Sequence, residues 1–155
     1  MADRYRIVDE PQPGSLTQLA VAPFWPLLAL MLGGAWLAWP WFAVNGLAVG
    51  SATRRREIGL VIGALVVSVV IAATVYLLDE GTSEWVIQLF VLALQIVKLG
   101  FGYALFNMQA RSFGLFEYFG GTRRNGMFVV LAGAFLRAKL LGAISDHTLL
   151  LLVLA

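Results

Sequence analysis

The chain is 155 residues long, 60% hydrophobic and 13% charged, with a net charge of +2. Soluble domains carry about 25% charged residues, so this composition excludes an ordinary soluble fold. With no cysteine and a single histidine, His147, disulfides, thiol chemistry, cysteine metal sites and a histidine cluster within one chain are excluded; no metal and no cofactor are expected.

Four apolar stretches, about residues 23–50, 57–78, 85–108 and 127–154, are separated by short polar joints. A helix needs about 20 residues to cross ~30 Å of hydrocarbon, and each stretch meets that length. In lipid the backbone must satisfy its own hydrogen bonds, which leaves helices or closed barrels. The sequence therefore predicts an all-α, polytopic membrane protein: four transmembrane helices in a compact bundle, the first long and kinked at Pro40. Residues 1–19 are a polar amino-terminal tail, too short to bury a core. Residues 20–155 form a single transmembrane domain.

The tail mixes Asp3, Arg4, Arg6, Asp9 and Glu10, unlike the simple basic start of a cleaved signal peptide. Pro11, Pro13 and Gly14 suit extended or turning backbone. Ser15, followed three residues later by Gln18, fits a capping box that opens a short interfacial turn.

The first span contains Trp25, Trp36, Trp39 and Trp41, with Pro26 and Pro40. A single tilted helix kinked at Pro40 is the favoured arrangement. In the competing one, a helix ends near Trp39-Pro40-Trp41 and a shorter segment returns to the same side. Tryptophans favour membrane interfaces, yet at 1.5 Å per residue Trp25 and Trp39 are only about 21 Å apart along a helix. These rings read as a membrane belt or packing feature. Asn45, among aliphatic and aromatic neighbours, reads as a helix-to-helix hydrogen bonder.

The second span is rich in Val and Ile. The third runs into the aromatic stretch Phe113–Phe119, which looks interfacial. The fourth is interrupted by Arg137 and Lys139, and Asp146-His147 precede its apolar end. Either that helix carries the polar pair onward, or it breaks there and the end docks against the bundle.

Arginines set the orientation. The joints 53–56 and 122–125, with Arg111, hold six of them, whereas the joint 79–84 is acidic. The positive-inside rule puts the arginine joints in the cytoplasm and the acidic joint outside, in a bacterial inner membrane. Four simple crossings leave both termini outside; a hairpin in the first stretch moves the tail inside. Arginines placed by this rule are poor evidence for nucleic acid, which is not an expected partner.

Charges inside a span cost about 2.5–3.5 kcal/mol on insertion scales and tend to mark pathways or pairs. Gln88, Gln95, Gly102 and Gln109 recur every seven residues in the third span, with Lys98 three beyond Gln95. They form a polar stripe: a pathway for an anionic solute, or a seam bonded between helices. Lys98 has no acid nearby in sequence, so its partner must come from another helix, lipid or water. Arg137 and Lys139 are candidate anion or lipid contacts, unless they snorkel to headgroups. Gly46–Gly50, Gly59–Gly63 and Gly100–Ala104 are small-xxx-small pairs that let helices approach closely.

No GxSxG, HExxH or P-loop occurs, so an enzyme is not expected. The expectation is a non-enzymatic membrane subunit that contacts lipid and either oligomerises or binds a membrane protein. The alternative is a small channel or transporter subunit lined by the polar stripe.

Overall fold

The computed structural model describes residues 15–78, 82–143 and 148–154. Residues 79–81 of the acidic joint, the Asp146-His147 pair and the tail before Ser15 lie outside them. The described chain is helical: a 3-10 turn over Ser15–Leu19, then α1 (Phe24–Leu32), α2 (Ala35–Val49), α3 (Arg54–Leu77), α4 (Glu84–Tyr118), α5 (Met127–Ala143) and α6 (Thr148–Leu154). Two of these, α3 and α4, are long and apolar enough to cross a membrane.

The expected single first helix, kinked at Pro40, is corrected. The chain breaks at Gly33-Gly34, and Pro40 lies inside α2. A proline removes a backbone donor and bends a helix, but it cannot turn the chain back. Gly34 can, because it takes φ 97° and ψ 174°, a region essentially closed to residues with a Cβ. The turn is held by the Gly33 and Gly34 N–H groups, which donate to the Ala29 carbonyl at 2.7 and 2.9 Å. The Trp36 indole N–H donates to the Gly33 carbonyl at 2.6 Å.

Beyond that turn the segments run side by side. The Val21 N–H donates to Asn45 Oδ1 at 2.9 Å, and Trp25 and Trp41 both crowd Gly126. Both facing pairs, 21 with 45 and 25 with 41, are centred on Gly33. Residues 20–49 therefore form an antiparallel helical hairpin, the competing arrangement with its turn earlier than Trp39. Its open end lies beside the third joint, where Val21 bridges Arg124.

Helices α3 and α4 form a second antiparallel pair, with Glu57 beside Gln109 and Gly63 beside the Phe101 ring. The aromatic stretch continues α4 beyond Met108, burying Phe113 and Phe116 and exposing Tyr118. At 1.5 Å per residue α4 is about 52 Å long. The fourth stretch is not one described helix: α5 packs on α1, and α6 docks on α3. The interior is built from Ala29, Leu30, Ala38, Trp39, Phe42, Ala64 and Leu105. Outward faces stay apolar, with Ile62, Val70, Ile96, Phe128 and Phe135 all exposed.

The glycines divide by role. Gly102, placed only on the polar stripe by the sequence, takes the side chain of Leu30 where a Cβ would stand, with Leu27 in contact beside it. Gly50 (φ 69°) ends α2 in a Schellman motif, with Ser51 N–H donating to Gly46 O at 3.1 Å and Gly50 N–H to Leu47 O at 3.2 Å. Gly63 meets only the Phe101 ring, Ala104 is half-buried, and Gly59 and Gly100 face open space.

Candidate functional site

The Schellman turn at Gly50 directs the chain through Ser51 into α3, and its first turn carries Glu57. That carboxylate is 1% exposed. Ser51 Oγ donates to Glu57 Oε1, as does Thr53 Oγ1 at 2.8 Å. From α4, Gln109 Nε2 donates to Glu57 Oε2 at 3.0 Å and to the Phe42 carbonyl at 2.7 Å. Gln109 Oε1 accepts from Asn45 Nδ2 at 2.9 Å. The helix-to-helix bond expected of Asn45 is thus formed, and its Oδ1 also holds Val21. With its proton on Glu57, Ser51 Oγ accepts from Ser112 Oγ at 2.9 Å and from the Thr53 N–H at 3.2 Å.

Glu57 therefore receives three donors, all neutral, at the positive end of α3. These bonds engage both of its carboxylate oxygens. Gly46 is part of the same construction, because a Cβ there would overlap the Glu57 carboxylate and press on Gln109. One network thus ties α2, α3, α4 and the residues before α1 together at the arginine end.

A second polar site lies at the hairpin's tip. Lys98, 2% exposed, donates from Nζ to the Leu152 carbonyl in the last turn of α6 at 2.7 Å. Arg137 donates from Nη1 to the carbonyl of Leu32, the last residue of α1, at 3.3 Å. Last-turn carbonyls lack intrahelical partners and carry partial negative charge, which cations offset. The partner that Lys98 required is thus a carbonyl of another helix. Lys98, Arg137, Gln95, Leu30, Met31 and Leu99 enclose about 180 Å³.

The stripe residues do not share one environment. Gln88 is exposed, Gln95 sits at the rim of that cavity, Lys98 is capped by α6, and Gln109 belongs to the Glu57 network. Lys139 does not join Arg137; its ammonium lies 5.5 Å from the Phe135 ring centroid, a cation–π distance. Buried Ser68 Oγ and Trp39 Nε1 have no hydrogen-bond partner among the described residues. Among the described residues no group of three His, Cys, Asp or Glu is placed to hold a metal.

Glu57 is the residue that sequence reasoning missed. Directly after Arg54-Arg55-Arg56 it reads as the end of a polar joint, and only its position against an unbroken apolar run signals burial.

Fold and site together define an all-helical protein with two helices able to cross a membrane, braced by buried polar contacts. Compared with protein-family models, curated sequences and solved structures, the chain matches none.

Proposed function

We propose that this chain is a multi-pass protein of a bacterial inner membrane, acting as a non-enzymatic subunit that assembles with itself or with a membrane protein. In this reading α3, α4 and α5 cross the bilayer and the α1–α2 hairpin enters only part-way from the cytoplasmic side. Such re-entrant backbone is tolerated at membrane depth where protein buries it. The observation that carries the assignment is the inward commitment of the buried charged and amide groups. Glu57, Gln109, Asn45 and Lys98 each bind this chain's own atoms, while apolar faces with open glycines at Gly59 and Gly100 point outward. Those glycines suit close approach by another helix.

The second reading, a channel or transporter subunit, draws support from one feature: the part-depth hairpin ends beside Lys98 and Arg137. In transporters, half-helix ends near the midplane frame ion and substrate sites. Proteoliposome flux separates the two. A non-conducting subunit gives no anion flux, with or without Lys98→Gln, and runs as one defined oligomer in native mass spectrometry. Flux whose ion preference shifts with Lys98→Gln would replace the subunit reading with the transport reading.

A further inference from the structure

We propose that the groove between the start of α3 and residues 107–115 of α4 binds a phosphate-bearing anion, the headgroup of an anionic phospholipid. The groove encloses about 930 Å³ and opens at the arginine end. It borders the Glu57 network, sharing Thr53 and Ser112 with it, and its assignment to a headgroup rests on the membrane reading.

Its charge is unbalanced. Arg56 from α3 and Arg111 from α4 line it, and among the described residues no acidic side chain does. Neither arginine forms an ion pair among the described residues. The acid next in sequence, Glu57, is turned inward and saturated by Ser51, Thr53 and Gln109. The Thr53 and Ser112 hydroxyls also line the groove but direct their protons into that network. What the groove offers an occupant is therefore two guanidinium groups, whose planar forks match phosphate oxygens.

Apart from Asn107, whose amide Nδ2 donates to the Tyr103 carbonyl at 3.0 Å, the rest of the lining is apolar, including Met108 and Leu115. From the groove's Asn107, the exposed side chains of Tyr103, Ile96 and Leu92 continue along α4 at helical spacing. An anion with attached acyl chains fits this sequence of surfaces: phosphate at the arginines, chains along α4. A small soluble anion would leave the apolar wall uncovered.

The test is lipid retention by the purified full-length protein, measured by native mass spectrometry during titration with phosphatidylglycerol or phosphatidylcholine. Wild type is expected to prefer phosphatidylglycerol. Basic residues near a membrane surface contribute about fivefold each, so R56Q/R111Q should weaken that binding roughly 25-fold. The variant R54Q/R55Q removes the same amount of charge from the arginine end but outside the groove, and should keep the preference. Both groove arginines are exposed, so helicity by circular dichroism should match wild type; R111Q alone serves if it does not, with about a fivefold loss.

Equal losses in the two double variants would reduce the effect to diffuse surface charge and overturn the site. Absence of a phosphatidylglycerol preference would overturn it too. Displacement of lipid by inorganic phosphate would assign the groove to a soluble phosphate and overturn the headgroup. A chain released from membranes by alkaline washing contradicts the membrane reading itself. One that stays embedded without lipid preference contradicts only this site.

Discussion

Gln109→Met lowers the stability of the folded protein by roughly 3 kcal/mol. The substitution keeps the length of the side chain and removes its amide. Glu57 Oε2 and Asn45 Nδ2 then lose a partner, and the Phe42 carbonyl loses the same donor. A buried group left unsatisfied costs about 1–3 kcal/mol. In the proposed membrane setting the lower end applies, because a chain unfolded within a membrane finds alternative partners. The unfolding midpoint in detergent, followed by tryptophan fluorescence, reports the loss. Gln88→Met is the matched control: Gln88 is exposed on the same helix, and surface changes stay within about 0.5 kcal/mol. Equal midpoints for the two variants would mean that the Glu57 network does not hold the fold.

Gly46→Ala and Gly59→Ala move stability in opposite directions. At Gly46 the new methyl group meets the Glu57 carboxylate and Gln109. Overpacking typically costs 1–3 kcal/mol, and a displaced carboxylate adds a broken hydrogen bond, so about 2–4 kcal/mol is expected in all. At Gly59 nothing lies within 4 Å, so alanine should stabilise the helix by up to about 1 kcal/mol. Thermal midpoints of the two variants give the sign of each effect. In the proposed assembly the bulkier Gly59→Leu leaves the monomer folded and disrupts the oligomer, which native mass spectrometry reads directly. A Gly59→Leu protein that assembles like wild type would remove this face from the interface.

Much of the architecture is legible in the sequence because it follows from hydropathy alone. The second and third stretches become α3 and α4, since each is a long apolar run with no internal break. The first stretch is harder. Its most visible breaker, Pro40, leaves the helix running, whereas Gly33-Gly34 turn it. Hydropathy does not distinguish a bend from a reversal. The distinction rests on a positive φ at one glycine and on contacts between Val21 and Asn45, 24 residues apart.

The sites show a similar division. Periodicity in α4 picks out Lys98 and Gln109 as buried, but it groups them with Gln88 and Gln95, which are not. A seven-residue spacing places residues on one face of one helix; which neighbour covers each level is decided by α2, α3 and α6. The GxxxG pattern is likewise ambiguous. Gly46 accommodates a carboxylate, Gly50 supplies a left-handed cap and Gly59 meets nothing, three uses that one spacing cannot separate.

The reversal at Gly33-Gly34 is the central claim, and residue-by-residue accessibility in cells tests it most directly. The chain contains no cysteine, so single cysteines can be placed at Ser15, Ser83 and Thr122, all exposed. Each is treated with a membrane-impermeant maleimide before and after the membrane is opened. The hairpin predicts that Ser15→Cys and Thr122→Cys are protected together in intact cells, while Ser83→Cys is labelled from outside. Labelling of Ser15→Cys together with Ser83→Cys, with Thr122→Cys protected, would mean that residues 23–50 cross the membrane, and would contradict the account.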